Sequence, residues 1–202
     1  MSYPREIVVA TRNPKKGGEM VAILGATNIK VRTLAEFPEA DIEVEETGST
    51  FAENAELKAR SAMELTGRVC IADDGGLIID ALGGQPGLHS KRFLGEDTSF
   101  PDKMAHILKL MQDVSEADRT CRFFCAVSIA VPNGRIIQCE GACEAHIGHE
   151  MRGTNGFGYD PIVVVNAVGK HMAELTPEEK HKISHRGKAL ACAAEQLKEL
   201  FP

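Results

Sequence analysis

Ile71-Ala72-Asp73-Asp74-Gly75-Gly76-Leu77-Ile78-Ile79-Asp80-Ala81-Leu82-Gly83-Gly84-Gln85-Pro86-Gly87 sets two adjacent carboxylates and two glycines between the apolar runs 69–72 and 77–82. Each run has strand length and is rich in β-branched and aliphatic residues, which predicts strand, tight turn, strand. Neighbouring acids raise each other's pKa, a cost that a bound cation would remove. Two glycines would let a backbone or a phosphate come close. A solvated Asp-Asp-Gly-Gly turn is the competing reading, because both residue types favour turns. This stretch alone leaves both open.

Upstream, residues 5–10 form a strand candidate with Ile7, Val8 and Val9 as a continuous buried run. It leads into the polar loop Thr11-Arg12-Asn13-Pro14-Lys15-Lys16-Gly17-Gly18-Glu19, after which Met20, Ile23 and Leu24 fit one helical face. Strand, polar loop and helix N-terminus make a usual phosphate site, since free N–H groups and the positive dipole end point at the ligand. The GxxxxGK[ST] pattern of a Walker A loop is absent. The plainer reading is a capped helix start with lysines on its wet face. A second strand is expected over 29–34 and an acidic loop with Pro38 over 37–46. Thr50 with Glu53 fits a capping box, so a helix should run from 51 to 65 and stop at Gly67. Phe51, Ala55, Ala59, Ala62 and Met63 are its apolar side. Asn54 and Lys58, four apart, are surface neighbours able to present a donor and a cation together, or Lys58 is simply solvated.

Downstream, 83–93 reads as a loop holding Pro86, Gly87 and His89 and closing at Lys91-Arg92. Thr98 or Ser99 caps a helix over 102–111. Residues 121–131 and 135–147 read as a long hairpin turning at Pro132-Asn133-Gly134. Gly153-Thr154-Asn155-Gly156-Phe157-Gly158-Tyr159-Asp160-Pro161 is unlike a linker, because two aromatics and an acid are embedded in it. Phe157 is placed either to stack on a flat ligand or to fill the core. A short strand follows over 162–165. Thr176-Pro177-Glu178-Glu179 is a capping box with Pro at the first helical position, opening a helix that contains Lys180. Ser184 caps the last helix, whose Leu190, Ala193, Ala194 and Leu197 face the core. His185, Arg186 and Lys188 then sit where cations oppose the helix dipole, unfavourable unless an anion is bound there.

The 202 residues suffice for one domain, 1–202, with a sizeable core. A net charge of -6 argues against a broad nucleic-acid or anionic-membrane surface, though not against a small anionic ligand. No apolar run approaches the ~20 residues of a spanning helix, and the first residues have no signal-peptide apolar region, which points to the cytosol. Cys121/Cys125 and Cys139/Cys143 repeat a four-residue step, but in strands that step covers about 13 Å. Neither pair can chelate one zinc locally. With no disulfide framework in their spacing, the six cysteines read as reduced, mostly buried thiols.

Together the chain offers acids (Glu46, Asp73, Asp74) and separated cations (Lys15, Lys16, Lys58, Lys180, His185, Arg186). Acids that hold Mg²⁺ beside cations that hold phosphates are the equipment for cleaving a nucleoside polyphosphate. Composition and spacing stop there and do not identify the base.

Five segments occur in the order seen in one family: Thr11-Arg12-Asn13-Pro14-Lys15-Lys16, Glu46-Thr47-Gly48-Ser49-Thr50-Phe51-Ala52-Glu53-Asn54-Ala55, Ala72-Asp73-Asp74-Gly75-Gly76-Leu77, Gly156-Phe157-Gly158-Tyr159-Asp160-Pro161 and Ser184-His185-Arg186-Gly187. Over nearly its whole length the chain resembles the inosine/xanthosine triphosphate pyrophosphatases, which remove deaminated purine nucleotides. That resemblance implies an α/β fold of two lobes, a long curved mixed β-sheet flanked by helices with the active cleft between the lobes, and a homodimer. It implies hydrolysis of ITP, dITP and XTP to the monophosphate and pyrophosphate with Mg²⁺. By position, Thr11, Arg12, Asn13, Pro14, Lys15, Lys16 and Lys58 would hold the triphosphate. Glu46 and Asp74 would hold Mg²⁺, and Asp74 would also accept the proton of the attacking water. Phe157, Gly158, Tyr159 and Asp160 would bind the nucleoside, with Phe157 on the purine, and Lys180, His185 and Arg186 would contact the base. Gly75, a position counted in the substrate site, stands where the family usually has serine, and Asn155 replaces a more usual glycine. Asp73 is either a metal ligand or a group behind one. Two alternatives stand beside this reading: a pyrophosphatase acting on pyrimidine or other modified nucleotides, and a nucleotide-binding sensor without catalysis.

Overall fold

The computed structural model describes residues 4–38 and 43–201. In chain order its elements are β1 (Glu6–Val9), α1 (Pro14–Leu24), β2 (Lys30–Thr33), α2 (Phe51–Thr66), β3 (Cys70–Ile79), α3 (Phe100–Leu110), β4 (Thr120–Ala130), β5 (Ile136–Ile147), β6 (Val163–Val165), β7 (Lys170–His171), α4 (Pro177–Ile183) and α5 (His185–Leu200). Among the described residues the strands form one seven-stranded sheet in the order β2-β1-β3-β4-β5-β6-β7. It is mixed, as expected: β1 runs parallel to β2 and β3, whereas β6 runs antiparallel to β5 and β7. Of the acidic loop expected over 37–46, residues 39–42 lie outside the described residues.

Two compact units share this chain: residues 1–74, 125–141 and 186–202 in the first, and 75–124 and 142–185 in the second. In the first unit strand alternation sorts the side chains into two layers. Ile7, Val9, Val69 and Ile71 pack with Met20 and Leu24 of α1 and Ala189, Leu190, Ala193 and Leu197 of α5. Val8, Ala10, Cys70 and Ala72 pack instead with Ala59 and Ala62 of α2. Strands buried on both faces read as continuous apolar runs for that reason. The second unit has its own core, in which Leu77 and Ile79 meet Met104 and Ile107 of α3 and Tyr159, Ile162 and Val163.

The 71–87 stretch corrects the expected strand, turn, strand: Asp73-Asp74-Gly75-Gly76 lies inside one ten-residue strand, β3. The turn propensity of these residues is overridden because each acid finds partners on its own face of the sheet, as described below. Gly76 earns its place differently. A Cβ there would meet the Gly87 carbonyl oxygen at 2.4 Å and Ser90 Oγ at 2.4 Å, so only glycine lets the 87–90 segment lie against the strand. Ser90 Oγ accepts from the Leu77 N–H at 3.0 Å and donates to the Gly87 carbonyl at 2.7 Å.

Helix α2 begins and ends where the capping signals place it: Thr50 Oγ1 accepts from the Glu53 N–H at 3.1 Å, and Gly67 closes it at φ 63°. Helix α1 starts earlier than expected, at Pro14, so Pro14–Glu19 is helix and not loop. Proline at the first helical position and Asn13 as cap explain this. The cysteine reading also needs correction: Cys139 of β5 and Cys192 of α5 form a disulfide, with Cα atoms 5.9 Å apart. Local spacing carries no trace of this pair, whose cysteines are 53 residues apart in sequence. Cys70, Cys121, Cys125 and Cys143 are free, buried thiols. Among the described residues no helix is long and apolar enough to cross a membrane.

Candidate active site

In the first unit, Asp73 and Asp74 are consecutive on β3 and therefore face opposite layers. Asp74 faces α2. Its Oδ1 accepts from Lys58 Nζ at 3.1 Å and its Oδ2 from Asn54 Nδ2 at 3.4 Å. Lys58 and Asn54 lie one helical turn apart, so one face of α2 delivers both donors to one carboxylate. Lys58 Nζ also donates to Glu46 Oε1 at 3.0 Å. Asn54 Oδ1 accepts from the Gly48 N–H at 2.8 Å, which ties the Glu46 segment to the start of α2. Burial raises the Asp74 carboxyl above its usual range, and Lys58 and Lys16 only partly offset this while Glu46 adds to it. Burial also pulls Lys58 down, but Asp74, Asp73 and Glu46 more than compensate, so its ammonium is held above its ordinary value. A lysine thus kept charged bridges two carboxylates.

These carboxylates suit a hard cation. Mg²⁺ takes one or two protein carboxylates and completes its shell with water and substrate phosphates, and Glu46 and Asp74 converge on a single point, the Lys58 ammonium. Among the described residues no group of three or more His, Cys, Asp or Glu side chains is gathered to hold a metal by itself. The donor set fits a metal shared with a phosphate, not a self-contained protein cage.

Asp73 faces the other layer, that of α1 and α5. Its Oδ2 accepts from Arg186 Nε at 3.1 Å and Nη2 at 2.9 Å, and Lys16 Nζ lies 3.3 Å away. Arg186 Nη1 donates to Glu19 Oε2 at 2.7 Å. Burial pushes the Asp73 carboxyl up, but Lys16, Arg186 and Lys58 together hold it well below the usual carboxylate range. Burial likewise lowers Arg186, and Asp73 and Glu19 more than restore its charge. The anion that a cationic helix start calls for is therefore supplied to Arg186 by the protein itself. At the start of α1, Asn13 Oδ1 accepts from the Lys15 and Lys16 N–H groups at 3.0 and 3.3 Å. Thr11 Oγ1 accepts from the Asn13 N–H at 3.2 Å. Arg12, Asn13, Pro14 and Lys15 are exposed.

The second unit carries the other predicted residues. Lys180 Nζ donates to Asp160 Oδ2 at 2.7 Å, both side chains about 5% exposed or less. The same oxygen accepts from the Phe157 N–H at 2.8 Å, and Lys180 Nζ lies 4.6 Å from the centre of the half-buried Phe157 ring. Gly156 makes this possible: at φ 73° it takes a backbone shape that L side chains avoid, and a Cβ would meet Asp160 Oδ2 at 2.0 Å. Tyr159 is a core residue, edge-on to Phe100 at 5.2 Å, with its hydroxyl donating to the Ser90 carbonyl at 2.8 Å. His185 stacks on Phe123 at 4.9 Å. Asn155, the departure before Gly156, is built in by its Nδ2 donating to the Leu175 carbonyl at 3.0 Å. Gly75 is half-buried on β3.

The structure thus gathers Lys16, Glu46, Lys58, Asp74 and Arg186 in the first unit, and Phe157, Asp160, Lys180 and His185 in the second. Glu19 and Cys125 escaped the sequence reading. Glu19 meets Arg186 167 positions away, and Cys125 Sγ lies 3.8 Å from Asp73 Oδ2. Neither distance leaves a local signal.

Known proteins resemble this chain over nearly its whole length. A dITP/XTP pyrophosphatase of Geobacillus kaustophilus is 46% identical over 196 residues, covering 97% of this chain and 96% of that one. One of Exiguobacterium sibiricum is 48% identical over 185 residues, covering 92% and 93%. The structure of a HAM1 protein from Coxiella burnetii superposes with a TM-score of 0.86 at 40% identity, over 96% of this chain and 98% of that one. The Staphylococcus aureus Ham1 protein gives 0.84 at 37%, with the same coverage. The Ham1 family model matches residues 7–196, and with these relatives similar over nearly the full length of the chain, the chain belongs to the Ham1 family.

Proposed function

We propose that this protein is a pyrophosphatase that hydrolyses ITP, dITP and XTP to the nucleoside monophosphate and pyrophosphate. The observation that carries the reading is Lys58 bridging Glu46 and Asp74, in a chain whose full-length relatives are named dITP/XTP pyrophosphatases. In the first unit, residues 11–16 and Lys58 hold the triphosphate chiefly by charge, since Asn13 already takes the Lys15 and Lys16 N–H groups at the start of α1. Glu46 and Asp74 would hold Mg²⁺, which supplies an acidified water and neutralises phosphate charge when bound. Asp74 takes the proton from the attacking water, a task that suits a carboxyl whose affinity for a proton is raised by burial. Attack at the α-phosphate asks the protein mainly for positioning and charge neutralisation.

In the second unit, Phe157 offers a ring to the purine, and Lys180 and His185 are donors for its 6-oxo group. An adenine amine would leave such donors facing another donor, and an unpaired buried donor costs about 1–3 kcal/mol. Arg186, in the first unit, is assigned to the base on the strength of the family resemblance alone, its guanidinium anchored on Asp73 and Glu19. The same resemblance supports a homodimer; a one-chain mass in sedimentation would overturn it.

The test is pyrophosphate release from ITP, XTP, dITP, GTP, ATP, dTTP and UTP, with Mg²⁺ and with EDTA. Fast, metal-dependent cleavage confined to the first three is the expected result. Preference for dTTP or UTP would overturn the purine reading, and ITP binding without cleavage would make the protein a sensor.

A further inference from the structure

We propose that Asp73 is a positioning residue: it holds the Lys16 ammonium in place for the phosphates and is not a metal ligand. The inference rests on the functional reading above and adds a residue to its phosphate site.

The first ground is which charges surround the carboxylate. Four charged groups, Lys16, Arg186, Asp73 and Glu19, form a balanced cluster. Asp73 is its centre, with two N–H groups of Arg186 and the Lys16 ammonium all within 3.3 Å of Oδ2. A divalent cation at that oxygen would sit against two positive charges, at an unfavourable energy in a buried setting. The other oxygen, Oδ1, is enclosed and accepts no hydrogen bond.

The second ground is direction. Asp74 faces α2 together with Glu46 and Lys58, whereas strand alternation sends Asp73 to the opposite layer. The two acids cannot share one ion while β3 stays extended, which separates their roles despite their adjacency.

The third ground is exposure. The Arg186 side chain is 3% exposed and that of Asp73 0%, but Lys16 is 17% exposed. Lys16 is therefore the cation through which this buried cluster meets the outside. Asp73 limits where its long, rotamer-rich side chain can place the charge. An ammonium fixed before substrate arrives contributes more than a wandering one, because misplacement by about 1 Å can cost 10²-fold.

The test is a double-mutant cycle with Asp73→Asn and Lys16→Met, after a thermal melt establishes that each variant is folded. Each single change should lower kcat/KM by about tenfold or more, equally for ITP and XTP. The double variant should lose no more than about twofold beyond either single one, because Asp73 acts through Lys16. The Mg²⁺ concentration for half-maximal rate should stay within about twofold of wild type in Asp73→Asn. Additive losses, or a large rise in the Mg²⁺ requirement, would overturn the proposal. If Asp73→Asn does not fold, Asp73→Glu, which keeps the charge and shifts the carboxylate, replaces it in the cycle with the same criteria. Calorimetric titration with inorganic tripolyphosphate in EDTA separates this idea from the function itself. Equal weakening in both single variants supports the positioning role even if no nucleotide is cleaved, and unchanged affinity in Asp73→Asn overturns it.

Discussion

Asp74→Asn is expected to lower turnover by about 10²–10⁴-fold, the range ascribed to a positioned general base, while leaving the fold and nucleotide affinity in place. The variant keeps the shape of the side chain, and its one carbonyl oxygen can still accept from Lys58 Nζ, 3.1 Å from the carboxylate, while its amide nitrogen faces the donor Asn54 Nδ2, 3.4 Å away. Burial already works against the charge on Asp74, so the loss of stability should not exceed the roughly 1–3 kcal/mol of one unmatched buried donor. What disappears is an acceptor for the proton of water and one of the two charges proposed to hold Mg²⁺. Pyrophosphate release and a denaturant titration on the same preparation check both halves. Turnover near that of wild type would remove Asp74 from the chemistry.

Arg186→Ala should act in the opposite sense, on stability first. Its guanidinium is 3% exposed and engages Asp73 through Nε and Nη2 and Glu19 through Nη1. Truncation leaves the buried Asp73 carboxylate with Lys16 as its nearest cation, at 3.3 Å. Removing one partner of a buried pair costs about 3–5 kcal/mol, since the remaining charge stays desolvated. Asp73 should then bind a proton far more readily, because Arg186 is one of the charges that hold its carboxyl down. Urea unfolding monitored by circular dichroism reads the loss, and an unchanged midpoint would mean that the pair contributes nothing. At denaturant-free conditions where the variant remains folded, a narrowed difference between ITP and ATP would support the proposed base contact.

These two variants differ because one acid is served by a lysine shared with Glu46 and its neighbour by an almost fully buried arginine. Nothing in Asp73-Asp74 as a dipeptide distinguishes them.

The local rules of the chain were legible because they act over a few residues. Thr50 with Glu53 and Gly67 marked both ends of α2, and Thr176-Pro177 with Glu179 marked the start of α4. Alternation and apolar runs placed β1 and the β4–β5 pair, and five ordered segments identified the family. Three features were decided only in three dimensions. Asp73–Gly76 runs straight through a strand because partners on opposite layers satisfy both acids and Gly76 admits the 87–90 segment, which outweighs intrinsic turn preference. Cys139 and Cys192 pair because β5 and α5 bring them together across 53 residues. Arg186 receives its anions from Asp73 and Glu19, 113 and 167 positions away. Capping and periodicity are properties of neighbouring residues, whereas charge pairing in a buried layer depends on which helices cover which face of the sheet.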